Sequence, residues 1–314
     1  MVVRDRAAGP RDGTRVTLPI MTRVTRRRRI IRYAVGSPPA PREDVVAVEE
    51  PLQIRLSALA HGPAATPPRD LTVTMRTPGH DFDLVAGFLV GEAIVREPDD
   101  IAMMRYCAGT NAAGEQTFNV IDVTLGAGIP LPGAETQRQV LTSSACGICG
   151  TTSIDQVRKT VPGSVSSELS LSAAAESAWR VSVGALLGLP DALRDGQGLF
   201  AKTGGVHAAG LFTAYGAVAC VREDVGRHNA VDKVVGWALR EGRLPLRDTV
   251  LQVSGRASFE LVQKAALAGI PVLAAVGAPS SLAVELADEL GLTLIGFSRG
   301  RSLNVYTHTR RIEG

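Results

Sequence analysis

From about Leu171 onward the sequence alternates short β-branched runs with amphipathic segments, and that alternation leaves few folds open. "GAVACVRED" predicts a strand with a charged end, and "VGRHNAVDKVVGWALREG" predicts a helix that Gly242 terminates. Strand "TVLQVS", helix "ASFELVQKAALAG", strand "IPVLAAVG", helix "PSSLAVELADELG" and strand "LTLIGFS" follow in turn. Such a pattern predicts a parallel or mixed sheet with helices on both faces. Aromatic residues are only 4% of the chain while apolar residues are 45%, so the core must be built from Val, Leu, Ile and Ala, which suits an α/β architecture.

The first half reads differently. "DVVAVEEPLQIRLSAL" and "LTVTMRTPGH" alternate apolar and polar residues as half-buried antiparallel strands do. "DFDLVAGFLVGEAIV" predicts a short helix with Asp81 as its N-cap, "QTFNVIDVTLG" a further strand, and "GAGIPLPGAETQRQ" a loop. The chain divides into a basic extension (1–44), a small β-rich N-terminal domain (45–140), a cysteine-motif loop with a linker helix (141–170) and an α/β domain (171–314). The arginine run "TRVTRRRRIIR" holds much of the net charge of +3. It lacks aromatic interleaving for base stacking, so a solvated, disordered extension is expected rather than a nucleic-acid arm. No apolar run reaches the roughly 18 residues of a membrane span, and no apolar h-region follows the arginines. A cytoplasmic chain without membrane contact is expected.

Three strand ends open into polar loops, "REDVGRHN", "SGRAS" and "FSRGRS". Open α/β sheets bind ligands beyond the carboxyl ends of their strands, so these loops define one candidate site. A second signal is "LTSSACGICGTTS", which sets Cys146 and Cys149 three residues apart among small residues. A structural zinc site would need two more ligands at suitable spacing, yet Cys107 and Cys220 stand alone and the five histidines are scattered. A thioredoxin-like pair would follow a strand directly, and this pair follows a polar loop. A deaminase zinc site is suggested by "TGGVHAAG", which is similar to the His-containing helix start of that fold. However, Ala209 stands where the general acid/base Glu belongs, and the cysteines precede His207. A sulfur relay fits best, because thiolate attack at sulfur needs a lowered pKa and access. Ser143, Ser144, Ala145, Gly147 and Gly150 are too small to cover the sulfurs, and "TTSIDQVRKT" predicts a helix whose N-terminus would favour the anion.

"SSACGICG", "TGGVHAAG", "REDVGRHNAVDKVVG", "SGRASFELVQKA" and "GFSRGRSLNVYT" occur in an order that resembles the FdhD/NarQ family of formate dehydrogenase accessory sulfurtransferases, over roughly residues 45 to 310. The resemblance implies a cytoplasmic, homodimeric sulfur carrier. It would take persulfide sulfur from a cysteine desulfurase and transfer it to the Mo-bis(molybdopterin guanine dinucleotide) cofactor before insertion into formate dehydrogenase. It also implies a cytidine-deaminase-like three-layer α/β domain without zinc, beside a smaller N-terminal α+β domain. The persulfide cysteine maps onto Cys146, its companion onto Cys149, and a cofactor-binding segment onto Phe297, Ser298, Arg299, Gly300, Arg301 and Ser302. A cofactor-binding chaperone that transfers no sulfur is the alternative, and a zinc-dependent hydrolase a third.

A ligand with guanine dinucleotide pyrophosphates calls for cations, open N–H groups and something that reads guanine. GDP would be its fragment. Arg299 and Arg301 flank a glycine and offer forked donors. In "SGRAS", Ser254 or Ser258 caps the next helix and Arg256 adds charge. Asp224 or Asp232 is the candidate guanine acceptor, with His228 and Asn229 as polar contacts at a helix start. His207 is either a ligand contact or a satisfied buried histidine. Cys149 is near enough in sequence to pair with Cys146, attack its loaded sulfur or hydrogen-bond the persulfide.

Overall fold

The computed structural model describes residues 24–59, 66–107, 109–110, 116–133 and 179–314. Cys146 and Cys149, and the expected linker helix, lie outside the described residues. The chain opens with a two-stranded antiparallel ribbon, β1 (Thr25–Ala34) and β2 (Ser37–Ala47). The N-terminal lobe holds β3 (Glu50–Ala58), β4 (Arg69–Arg76), α1 (Asp81–Gly91), β5 (Ile101–Tyr106), a short pair β6 (Gly109–Thr110) and β7 (Gln116–Thr117), and β8 (Val120–Leu125). Its sheet runs β4-β3-β8-β5. In β3 the alternation seen in the sequence puts Leu52, Ile54 and Leu56 inside.

The C-terminal lobe starts with β9 (Val181–Ser182), α2 (Val183–Asp195) and α3 (Gly198–Thr203). It continues with β10 (His207–Thr213), β11 (Val218–Asp224), α4 (Arg227–Arg240), β12 (Thr249–Val253) and α5 (Phe259–Leu267). Next are β13 (Val272–Ala275), α6 (Ser281–Glu289), β14 (Thr293–Arg299), β15 (Ser302–Val305) and β16 (Ile312–Glu313), which pairs with β9. The large sheet runs β11-β10-β12-β13-β14-β15. β10 is antiparallel to both β11 and β12, and β12, β13 and β14 are mutually parallel. Therefore β11, β12, β13 and β14 all end on one edge, where β10 begins. Leu251, Val253, Leu273 and Ala275 pack on the face covered by α4, α5 and α6, while Val250, Val272 and Ala274 pack against Leu186, Leu189 and Leu193 of α2. Burial on both faces explains why these strands read as unbroken apolar runs. The result is the mixed, three-layer α/β arrangement expected, with a smaller β-rich lobe.

The lobes are joined by one hydrophobic core that runs from β3 through α1 and α4 to β12. Nine of the eleven residues of α1 are buried, and its main neighbour is α4. The two helices meet backbone to backbone: a Cβ on Gly87 would collide with the Asp232 carbonyl oxygen, and one on Gly236 with that of Asp83. Around this crossing Asp83 accepts from Arg222 at 3.1 Å and pairs with Arg240. Lys233 donates to the Thr77 carbonyl at 2.8 Å and pairs with Asp224 at 2.7 Å.

Two local expectations change. The N-cap of α1 is His80 in a left-handed conformation (φ 56°), and Asp81 is the first helical residue. The Asp81 carboxylate accepts instead from Arg76 at 3.0 Å, Tyr106 at 3.1 Å and the Gly79 amide at 3.1 Å, a stronger set of partners than a capping amide alone. The arginine run, expected to be a disordered extension, is a strand from Thr25 because β2 supplies a ladder for it. The close crossing sets a clear expectation. Gly236→Ala forces the helices apart and should lower stability by about 1–3 kcal/mol, the usual cost of overpacking, read as a shift of the urea midpoint at unchanged slope.

Candidate functional site

The carboxyl edge of the large sheet is held by contacts among its own loops. Val276 N–H donates to Val253 O, Gly277 N–H to Gly255 O at 2.9 Å, Ala257 N–H to Ala278 O, and Phe297 N–H to Gly277 O at 3.0 Å. Glycine is needed where these loops touch: a Cβ on Gly277 would come within 3.0 Å of Arg256 Cγ, and one on Gly296 within 2.7 Å of Pro279. The strand-end loops thus form one continuous surface.

Against this edge α2 and α3 enclose a cavity of about 500 Å³. Its sheet-side wall is His207, Val225, Ser254 and Val276, and its helical wall includes Leu193, Arg194, Gln197 and Phe200. Ser254 is fixed in place, because its hydroxyl accepts from Ala208 N–H at 2.9 Å. The Arg194 guanidinium lies 4.3 Å from the Phe200 ring centroid, a cation–π contact that sets both side chains. Gln197 is buried, yet its Nε2 has no hydrogen-bond partner among the described residues. A buried amide left unmatched costs about 1–3 kcal/mol. None of the helical-wall residues was singled out by the sequence. The glycines of "DGQGLFAKTGG", which bracket α3 before the His207 strand, were the available signal.

His207 sits where "TGGVHAAG" becomes a strand, not the helix start that the deaminase comparison suggested, since β10 pairs on both sides there. Burial, with Arg227 and His228 nearby, pushes its pKa below the ordinary histidine value, so the ring is neutral at pH 7 and able both to donate and to accept. His228 Nε2 lies 2.6 Å from Glu260 Oε2 and 3.4 Å from Ser258 Oγ. The hydrogen bond from His228 holds the Glu260 carboxyl below its usual range. Ser258 is the N-cap residue of α5, but its hydroxyl makes no capping bond.

The segment Phe297–Ser302 forms the β14–β15 turn on the same edge. Arg299 pairs with Ser302 across it, and Phe297 (φ 52°) and Gly300 (φ 60°) are left-handed. Arg299, Gly300, Arg301 and Ser302 are exposed, and Arg299 lies over the Phe297 ring at 5.5 Å. Ser298 is buried, and its hydroxyl has no partner among the described residues.

The acidic candidates for reading guanine are not on this surface. Asp224 is fully buried and its oxygens are taken by Lys233, the Thr77 and Gly226 amides and Asn229. Asn229 is spent on the same junction, donating to Met75 O at 2.7 Å. Asp232 is buried against Lys264 at 2.7 Å. These residues close the lobe interface, because a buried carboxylate needs a full set of partners. The two described cysteines are both held toward the neutral thiol. Cys220 is buried, which pushes its thiol up to about 11. Cys107 is raised by burial and by its hydrogen bond to Asp122 at 2.8 Å.

A two-lobed α/β protein with a cavity and a basic turn on one strand edge is thereby defined. The chain matches the FdhD/NarQ family over residues 47–313 and belongs to that family. It is 51% identical over 290 residues to the sulfur carrier protein FdhD of Nocardia farcinica, covering 92% of this chain and 95% of the relative. Its identity to the protein of the same name from Mycolicibacterium paratuberculosis is 52% (92% and 99% covered), and to that from Thermoplasma volcanium 42% (86% and 90%). The fold is similar, at a TM-score of 0.64 and 24% identity, to a crystal structure described as that of a formate dehydrogenase accessory protein from Desulfotalea psychrophila, covering 93% of this chain and all of that one.

The environment of His207 sets a pH dependence. The unfolded chain binds a proton at this ring more readily than the folded one, so stability is fully present above the ordinary histidine value and is lost as pH falls toward the lowered folded value. Urea unfolding between pH 7.5 and 5 should show this decline, at roughly 1.4 kcal/mol per unit of difference, and His207→Asn should reduce it.

Proposed function

We propose that the chain is a sulfur carrier in formate dehydrogenase maturation, with Cys146 as the carrier. The observation that supports this most is the 51% identity, over 92% of the chain, to a protein named as a sulfur carrier. The thiol environments agree with it. Sulfur attack requires a thiolate, and Cys107 and Cys220 are both shifted toward the neutral thiol. Cys146 and Cys149, set among small residues, are the remaining thiols of the four.

In the loading step the Cys146 thiolate attacks the outer sulfur of a persulfide on a cysteine desulfurase. A new S–S bond forms on Cys146, the donor's S–S bond breaks, and the donor cysteine leaves as a thiolate. In the release step the Cys149 thiolate attacks the inner sulfur of the loaded Cys146 and expels hydrosulfide, which is at the oxidation level of a metal–sulfur ligand. The resulting Cys146–Cys149 disulfide is reopened by a cellular thiol reductant. The acceptor is the molybdenum cofactor in its bis(molybdopterin guanine dinucleotide) form, a cargo of the carrier.

The carboxyl edge suits a nucleotide end of that cargo. The cavity offers apolar wall for a flat base at Leu193, Phe200, Val225 and Val276, with Asp191, Arg194, Gln197, His207 and Ser254 as polar groups along it. Arg256, Arg299 and Arg301 supply cations for phosphates along the same edge. With Asp224 and Asp232 inside the lobe interface, Asp191 is the carboxylate that lines the cavity and takes over as the acceptor for the base.

Two measurements check these assignments. After incubation with a desulfurase and labelled cysteine, mass spectrometry should find a cleavable sulfur on the Cys146 peptide. Cys146→Ala should abolish both this adduct and restoration of formate dehydrogenase activity, with thermal stability unchanged. An adduct on Cys107 or Cys220 would exclude the relay. By calorimetry, Arg299→Ala should weaken GDP binding by about 1.5–3 kcal/mol. Gln197→Leu should make the free protein more stable, because it removes a buried donor that has no partner among the described residues.

A further inference from the structure

The β1–β2 ribbon, apart from its last residue Ala47, lies outside the family match, and it pairs with no strand of the sheet that carries the site described above. We propose that β1 is an open docking edge to which an extended, acidic segment of a partner protein adds as a third strand.

Four observations carry the proposal. The ribbon has only two strands among the described residues and is exposed over nearly its whole length on both faces. A two-stranded ribbon is marginal in water and gains from a third strand. Its two outer edges are unequal. β2 carries Pro38, Pro39 and Pro41, which cannot donate to a ladder, whereas β1 runs for ten residues without a proline. A strand can therefore add to β1 with far less loss than to β2.

Charge specifies what can add. Six arginines stand in the ribbon against Glu43 and Asp44. Arg27 pairs with Glu43 at 3.3 Å, while Arg26, Arg28, Arg29 and Arg32 make no ion pair among the described residues. A second copy of the same ribbon would bring these like charges together, so the favoured occupant is an acidic strand with carboxylates at alternate positions. Toward the turn the arginines give way to exposed Ile31, Tyr33 and Val35, which suit apolar side chains of a polypeptide better than a phosphate backbone. Finally, the position is useful. β2 lies beside α3, whose Phe200 lines the cavity, so a strand docked on β1 is held on the flank that carries the candidate site.

The test uses the full chain and a fluorescein-labelled octapeptide of alternating Glu and Val. Binding is followed by anisotropy and the ribbon by amide hydrogen exchange. The expected result is salt-sensitive binding with new protection confined to residues 25–34. N-methylation of alternate peptide amides should weaken binding by about tenfold or more, as should replacement of Glu by Lys in the peptide. The Arg26→Glu/Arg28→Glu/Arg32→Glu variant should lose binding to a similar degree. Because that variant can lose its ribbon, the N-methylated peptide on the unaltered chain is the deciding comparison. Equal binding of that peptide, or no protection of β1 at millimolar peptide, overturns the proposal. The same protection from a single-stranded oligonucleotide also overturns it, in favour of nucleic acid. Protection that rises with protein concentration without peptide overturns it in favour of a second copy.

Discussion

The crossing of α1 and α4 is the contact on which the rest of the molecule depends. Gly87 and Gly236 let the two helices meet with backbone against backbone, so the lobes approach more closely than packed side chains would allow. That approach leaves no room for water to solvate the charges at the junction. Asp224, Lys233 and Asp83 must find their partners in protein, and Lys233 does so by joining Thr77 of the N-terminal lobe to Asp224 of the C-terminal sheet. Breaking such a pair by removing one partner typically costs about 3–5 kcal/mol, so the junction is stiff as well as close.

The consequence reaches the carboxyl edge. Asp224 is the last residue of β11, Arg227 and His228 begin α4, and their positions follow from the junction below them. The other strand ends are held by direct backbone contacts between loops, with Gly255, Gly277 and Gly296 at the points of contact. A nucleotide-bearing cargo would therefore meet a surface whose donors are already in place, which reduces the ordering cost of binding. The exposed groups, Arg299 and Arg301, sit at a tight turn rather than on a long loop. The ribbon stands apart from this rigidity, since neither of its faces is packed into a core.

Much of this was legible in the sequence. The strand and helix order from Val218 to Arg299 followed from apolar period and from punctuation such as Gly242, because strands buried on both faces leave few other patterns. The shared edge of "REDVGRHN", "SGRAS" and "FSRGRS" followed from the same reasoning. The ribbon did not. Its strand β1 is mostly charged, and its pairing depends on a partner segment that itself carries three prolines. Nor did the wall formed by Gln197 and Phe200, whose residues carry no motif and acquire meaning only when α2 and α3 pack against the sheet.

What the sequence determined alone is the α/β class, the loops that share one edge, and the thiol pair as the chemically distinct feature of the chain. The tertiary structure decided which polar residues are exposed on that edge and which are buried. Asp224, Asn229 and Asp232 sit in motifs that look like binding loops, yet they face the lobe junction. A motif records which side chains are near one another along the chain, whereas burial depends on what a distant segment places over them. Here that segment is Thr74–Thr77 with α1, some 150 residues earlier in the chain. Its backbone and hydroxyl groups bind Asp224 and Asn229, while Asp232 is taken by Lys264 of the C-terminal lobe.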